Sequence, residues 1–136
     1  MKEILKYYQD FPKEGLVFVD IIPVRKSGKL PFAEGDLQEV LIEKEYGFDK
    51  LYYRTSDIAA GKATGDVIEV TIIDDVLATG GTAEGLARSL ESQRIVKDGK
   101  EYSVKVKEFV FIVEIVELGG AERLKKIAPV RSITEI

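Results

Sequence analysis

The sequence predicts one α/β domain over residues 1–136, with a parallel-centred sheet flanked by helices. Two observations carry that prediction. Val67-Ile68-Glu69-Val70-Thr71-Ile72-Ile73 is a buried-type strand, and beyond a glycine loop Ala83, Leu86, Ala87 and Leu90 recur at helix spacing. Strand, glycine loop and helix make half of a βαβ unit. Phe109-Val110-Phe111-Ile112-Val113-Glu114-Ile115 is a near-continuous apolar run, as expected of a strand covered on both faces.

The remaining elements follow in chain order. Residues 2–9 read as a short helix with Ile4, Leu5 and Tyr8 on one face, broken by Phe11-Pro12-Lys13-Glu14-Gly15. Residues 16–22 are apolar and β-branched, and Pro23 interrupts them. Residues 25–31 read as a basic, glycine-containing loop. Residues 40–44 and 49–54 are candidate paired strands, joined by a turn over 45–48. Residues 60–66 form a loop before the strand over 67–73. Past the helix, the runs 94–97 and 100–106 flank Asp98-Gly99, a strong hairpin signal. Gly119-Gly120 closes the long apolar run, residues 121–127 read as a short helix, and 130–133 as a last strand. The chain shows no internal repeat, low-complexity stretch or linker.

Composition narrows the chemistry. With 136 residues, 45% of them apolar, the chain buries roughly two-thirds of its unfolded surface and needs no covalent staple. It has no Cys and no His. That excludes a thiol nucleophile, a disulfide framework, a Cys/His zinc site and imidazole acid–base chemistry. Proton transfer falls to carboxylates, Lys or Tyr, and any metal is a hard cation held by oxygens. Lys plus Arg number 20 against 24 Asp plus Glu, a net charge of −4, which argues against general nucleic-acid binding. No apolar run approaches the ~20 residues that span a bilayer, and residues 1–8 hold no signal-peptide core. The expectation is a cytoplasmic protein with no membrane partner.

The chemistry gathers between Val70 and Leu86. A strand delivers Asp74 and Asp75 to its C-terminal end, where open α/β sheets bind ligands. The small residues Ala78, Thr79, Gly80, Gly81 and Thr82 follow. Glycines let backbone N–H groups close on an anion, and the next helix aims the positive end of its dipole at the same place. A phosphate monoester suits that loop. The carboxylates suit neutral hydroxyls, or a Mg²⁺ that also bridges phosphate oxygens. A sugar phosphate with free vicinal hydroxyls satisfies both. No Gly-Lys-Ser/Thr follows and no G-x-G-x-x-G occurs, so neither a Walker loop nor a dinucleotide fingerprint is present. The bland alternative is a plain strand-to-helix turn with Asp as helix cap.

Ile72-Ile73-Asp74-Asp75-Val76-Leu77-Ala78-Thr79-Gly80-Gly81-Thr82-Ala83 resembles the phosphoribosyl-pyrophosphate motif of type I phosphoribosyltransferases, in wording closest to the adenine phosphoribosyltransferases. Other segments agree in order. Residues 11–21 resemble the purine-binding segment of that family, 22–31 its basic pyrophosphate-side loop, Glu45-Tyr46-Gly47 its flexible catalytic loop, and residues 113–124 its C-terminal strand and helix. The resemblance implies a reaction of adenine with phosphoribosyl pyrophosphate to give AMP and pyrophosphate, with Mg²⁺ carried by the substrate, in a homodimer. It implies that Asp74 and Asp75 hold the ribose hydroxyls, and that Ala78, Thr79, Gly80, Gly81 and Thr82 cradle the 5′-phosphate. Arg25, Lys26 and Lys29 would face the pyrophosphate. Val17 would offer backbone groups to adenine, Phe18 and Ile115 would sandwich the ring, Glu45 would assist proton transfer and Tyr46 would help close the loop.

Taken singly, several of these residues have plainer readings. Arg25, Lys26 and Lys29 fit a solvated loop, Glu45 a surface carboxylate, and Phe18 and Ile115 a core. Their order around the phosphate motif joins them. The chain also departs from the family. Residues 17–21 run almost directly into Pro23-Val24-Arg25-Lys26, so one central strand-helix region and the pyrophosphate loop it carries are absent. Val19 stands where the family usually has Arg, and the hairpin around Asp98-Gly99 is an addition, expected to cover a sheet edge or the surface left by the absent piece. Three readings follow: an active minimal enzyme, a truncated or engineered relative that binds phosphoribosyl pyrophosphate or AMP without turnover, and a nucleotide-sensing regulatory protein.

Overall fold

A computed structural model of the chain describes residues 25–26, 36–44 and 47–136. The helix expected over 2–9 and the apolar segment over 16–22 lie outside these residues. Three parallel strands organise the main sheet. Strand β5 (Val67–Leu77) pairs with β7 (Lys100–Glu114) from Val67↔Ser103 to Leu77↔Glu114. Strand β8 (Val130–Glu135) pairs with the far half of β7, from Phe109↔Val130 to Glu114↔Glu135. The short β4 (Ala63–Thr64) runs antiparallel on the outer edge of β5.

The Asp98-Gly99 hairpin forms as expected. Strand β6 (Arg94–Lys97) folds back on the start of β7, and Asp98 and Gly99 take φ of 52° and 76°, the paired positive angles of a type I′ turn. Ser103 pairs with both Arg94 and Val67, so β6 lies on the side of β7 away from β5. That is the lane β8 takes further along. The hairpin thus extends the sheet, and Ile95, Val104 and Val106 of it are buried in the core.

Two runs that the sequence separates, 100–106 and 109–115, are one strand. The register shifts between Val70 and Thr71, which pair with Val106 and Glu108, so Lys107 is passed over as a bulge. Before the bulge, buried Val104 and Val106 alternate with exposed Lys105 and Lys107; after it, Phe109, Val110 and Phe111 are all buried. The change from one covered face to two is what makes one strand look like two. Strand β5 likewise runs past Ile73 to Leu77, because Asp74, Val76 and Leu77 find ladder partners in Phe111, Val113 and Glu114. Pairing with a central strand overrides the poor strand propensity of Asp.

Helix α2 (Gly81–Glu91) buries Ala83, Leu86, Ala87 and Leu90, the four residues at helix spacing. They join Ile68, Ile72, Leu77, Phe109 and Phe111 in the core. Each of the two leucines contributes roughly 1.5–3 kcal/mol by leaving water.

A second sheet, in the order β1 (Arg25–Lys26), β3 (Gly47–Arg54), β2 (Leu37–Lys44), is antiparallel throughout. Arg25 and Lys26 are therefore strand residues rather than loop, opposite Tyr52 and Leu51. Gly47 and Phe48 belong to β3 rather than to the turn, since Lys44 faces Gly47. Helix α1 (Thr55–Ala59) follows, and its start is capped from a distance. Asp36 Oδ1 accepts the Ser56 N–H at 2.7 Å and the Thr55 hydroxyl at 2.9 Å, and Oδ2 accepts the Ser56 hydroxyl at 2.7 Å. Helix α3 (Gly120–Leu124) ends three residues short of its expected limit, after a 3₁₀ turn over Val116–Leu118.

Candidate functional site

The C-terminal ends of β5 and β7 meet the N-termini of α2 and α3 at one edge of the sheet. Asp74 is half-buried and Asp75 exposed. Each carboxylate accepts the next backbone N–H at 2.9 Å, Asp74 Oδ1 from Asp75 and Asp75 Oδ1 from Val76. Each bond holds a carboxylate against its own backbone.

That loop is only Ala78, Thr79 and Gly80. Gly80 is the N-cap of α2 with φ 85° and ψ 0°, a left-handed conformation open to glycine and costly to most residues. No side chain caps the helix, and its first internal bond runs from the Glu84 N–H to the Gly80 carbonyl at 2.9 Å. The N–H groups of Gly81, Thr82 and Ala83 therefore lack an intrahelical acceptor. Helix dipole and unpaired donors together favour an anion here.

The loop is held from the other side by α3. A Cβ on Gly80 would come within 3.1 Å of the Gly120 carbonyl oxygen, and a Cβ on Gly120 would fall on the Ala78 carbonyl oxygen. Backbone packs on backbone because neither residue has a side chain. The Ile115 N–H donates to the Leu77 carbonyl at 2.9 Å, which brings half-buried Ile115 to the head of the loop. Arg123 reaches from α3 to α2, where its Nε donates to Glu84 Oε1 at 3.0 Å. That bond holds the Glu84 carboxyl below the usual carboxylate range.

The structure thus brings together Asp74, Asp75, Ala78, Thr79, Gly80, Gly81, Thr82 and Ile115. Arg25 and Lys26 are placed by their backbone alone, on the edge strand β1. Val17, Phe18, Lys29, Glu45 and Tyr46 lie outside the described residues. Gly120, Glu84 and Arg123 are additions with no chemical signal of their own in the sequence. Each acts on the loop through a partner about forty residues away, which no local spacing reveals.

Among the described residues, no group of three acidic side chains is placed to hold a metal ion, and no helix is long and apolar enough to cross a membrane. Two adjacent carboxylates make a hard oxygen donor set. It falls short of an all-protein cage for a divalent cation.

No protein-family model matches the sequence. Individual relatives do. The chain is 38% identical over 117 residues to the adenine phosphoribosyltransferase of Trichodesmium erythraeum, an alignment covering 86% of this chain and 58% of that one. It is 34% identical over 141 residues to the adenine phosphoribosyltransferase of Methanococcus maripaludis, covering 91% and 72%. The crystal structure of adenine phosphoribosyltransferase from Rhodothermus marinus superposes with a TM-score of 0.63 at 25% identity, covering 98% of this chain and 97% of that one. Against the first of these relatives the chain spans little more than half the length.

Proposed function

The chain belongs to the adenine phosphoribosyltransferase family, and from that premise we propose that it transfers a phosphoribosyl group to adenine, yielding AMP and pyrophosphate from phosphoribosyl pyrophosphate. The observation that carries the reading is the uncapped start of α2, set directly after two carboxylates at the end of a parallel strand. A 5′-phosphate fits the N–H groups of Gly81, Thr82 and Ala83 with the Thr79 and Thr82 hydroxyls. Asp74 and Asp75 then take the ribose 2′ and 3′ hydroxyls, as acceptors for neutral donors.

The remaining assignments follow the family order. Ile115, at the head of the loop, forms one face of the base site, with Phe18 on the other and the Val17 backbone at the base edge. Arg25, Lys26 and Lys29 face the departing pyrophosphate, where fixed cations stabilise charge that grows in the transition state. Glu45 assists proton transfer at the purine, and Tyr46 helps close the loop against water that would hydrolyse the activated sugar. Mg²⁺ would arrive with the substrate and supply charge that offsets the pyrophosphate. We assign the protein to the cytoplasm, as a homodimer without nucleic-acid or membrane partners.

AMP formation from adenine, phosphoribosyl pyrophosphate and Mg²⁺ is the direct assay. Activity should collapse in Glu45→Ala and in Asp75→Asn. The competing outcome is binding without turnover. A melting temperature raised by phosphoribosyl pyrophosphate or AMP, with no product formed, would select that reading. No rise with either ligand and no product would sink both.

A further inference from the structure

Arg123, in the last turn of α3, reaches the first turn of α2. Its Nε donates to Glu84 Oε1 at 3.0 Å, and Nη2 lies 3.0 Å from the same oxygen. Its remaining nitrogen, Nη1, lies 3.4 Å from the point a Cβ on Gly81 would occupy. Cζ and Nη2 lie 3.8 Å from the same point, so the guanidinium turns one edge to Glu84 and lies across the first residue of α2. The side chain keeps 46% of its accessible surface, so it is not sealed off from a ligand in solution. A planar fork with five donors can serve a carboxylate and a second anion together.

Glu84 explains why a cation is needed there. It sits in the first turn of α2, three residues past Gly81. A carboxylate is welcome at that end of a helix, yet it sets a negative charge in the turn that would receive a phosphate. Arg88 approaches its other oxygen only at 3.5 Å and is largely exposed, so its compensation is weak.

We propose that Arg123 is a positioning residue for the 5′-phosphate: it offsets the Glu84 charge and holds a guanidinium beside Gly81 where that phosphate is received. The inference rests on the phosphoribosyl reading of the site.

AMP titrations of the full chain test it, with wild type beside Arg123→Gln, Glu84→Gln and the double variant. Arg123→Gln should weaken AMP binding by about tenfold. Glu84→Gln should bind AMP at least as tightly as wild type. The double variant should recover part of the Arg123→Gln loss, because the uncompensated carboxylate is gone. A mere tether between helices would show no such recovery. Should Arg123→Gln fail to fold, Arg123→Lys takes its place: keeping the charge, it should keep most of the affinity. Wild-type affinity in Arg123→Gln, or a double variant as weak as the single one, overturns the proposal; so does a large loss in Glu84→Gln or in folded Arg123→Lys. Wild-type protein that binds neither AMP nor phosphoribosyl pyrophosphate would instead overturn the phosphoribosyl reading itself.

Discussion

Gly80 and Gly120 show how much of the site rests on absent side chains. Adding a methyl at Gly120 puts it on the Ala78 carbonyl oxygen and within 2.7 Å of Leu77 Cδ1. The oxygen belongs to backbone, so the loop itself has to move. Overpacking of this kind typically costs about 1–3 kcal/mol. Gly120→Ala should therefore lower the melting temperature and also shrink the further rise that AMP produces. A loss of stability with an undiminished AMP shift would mean that α3 does not shape the loop. Ala78-Thr79-Gly80-Gly81-Thr82 could be read from sequence because its signal is local: small residues between a strand and a helix. Gly119-Gly120 reads in sequence only as the end of an apolar run. Its reason for lacking a side chain lies on another element, and one chain read in order does not bring the two glycine pairs together.

At the scale of elements, the β2–β3 hairpin is docked on the helix that starts in the loop. Val40, Ile42 and Tyr53 are buried, and the Tyr53 hydroxyl and Ser89 Oγ lie 2.9 Å apart. Burial pushes the Tyr53 phenol up, so it stays protonated and able to donate. A Cβ on Gly85 would fall on Ile42 Cδ1. That atom is the end of a flexible side chain and has to move aside, against the roughly 1 kcal/mol that Ala gains over Gly in a helix. Gly85→Ala should therefore be more favourable in an Ile42→Val background, which lacks the obstructing methyl, than in wild type, read by thermal or denaturant melt. The same effect in both backgrounds would show that Ile42 does not press on α2. Tyr53→Phe should cost about 1 kcal/mol, the net worth of one hydrogen bond. The elements themselves were largely legible: Ala83, Leu86, Ala87 and Leu90 mark the buried face of α2, and Asp98-Gly99 marks a hairpin. Their contacts were not. Asp36 caps a helix that starts nineteen residues later in the chain, and the bulge at Lys107 is visible only once β5 and β7 are paired.

Across the whole molecule, two carboxyls tie distant segments together and make stability depend on acid. The Arg123 hydrogen bond holds Glu84 below the usual carboxylate range, joining α2 to α3. The Ser56 hydroxyl, then the Ser56 N–H, do the same for Asp36, joining the start of β2 to α1. A carboxyl with a depressed folded pKa adds stability that is complete above its unfolded pKa and is lost as the pH falls through the folded one. Both contributions are therefore intact at neutral pH and are lost as the pH falls through the carboxylate range. Melting temperatures measured from pH 7 to pH 3 should fall along that acid limb. In Asp36→Asn/Glu84→Gln the melting temperature at pH 7 should be lower and the acid limb shallower, since two of the titrating contributions are gone. Other carboxylates titrate in the same range, so the difference between the two curves isolates this pair. Parallel curves for variant and wild type would show that neither carboxyl gains from folding. Glu84→Gln alone separates the two roles given to Glu84. Acid resistance reports its bond to Arg123, whereas AMP affinity reports the charge it leaves at the start of α2.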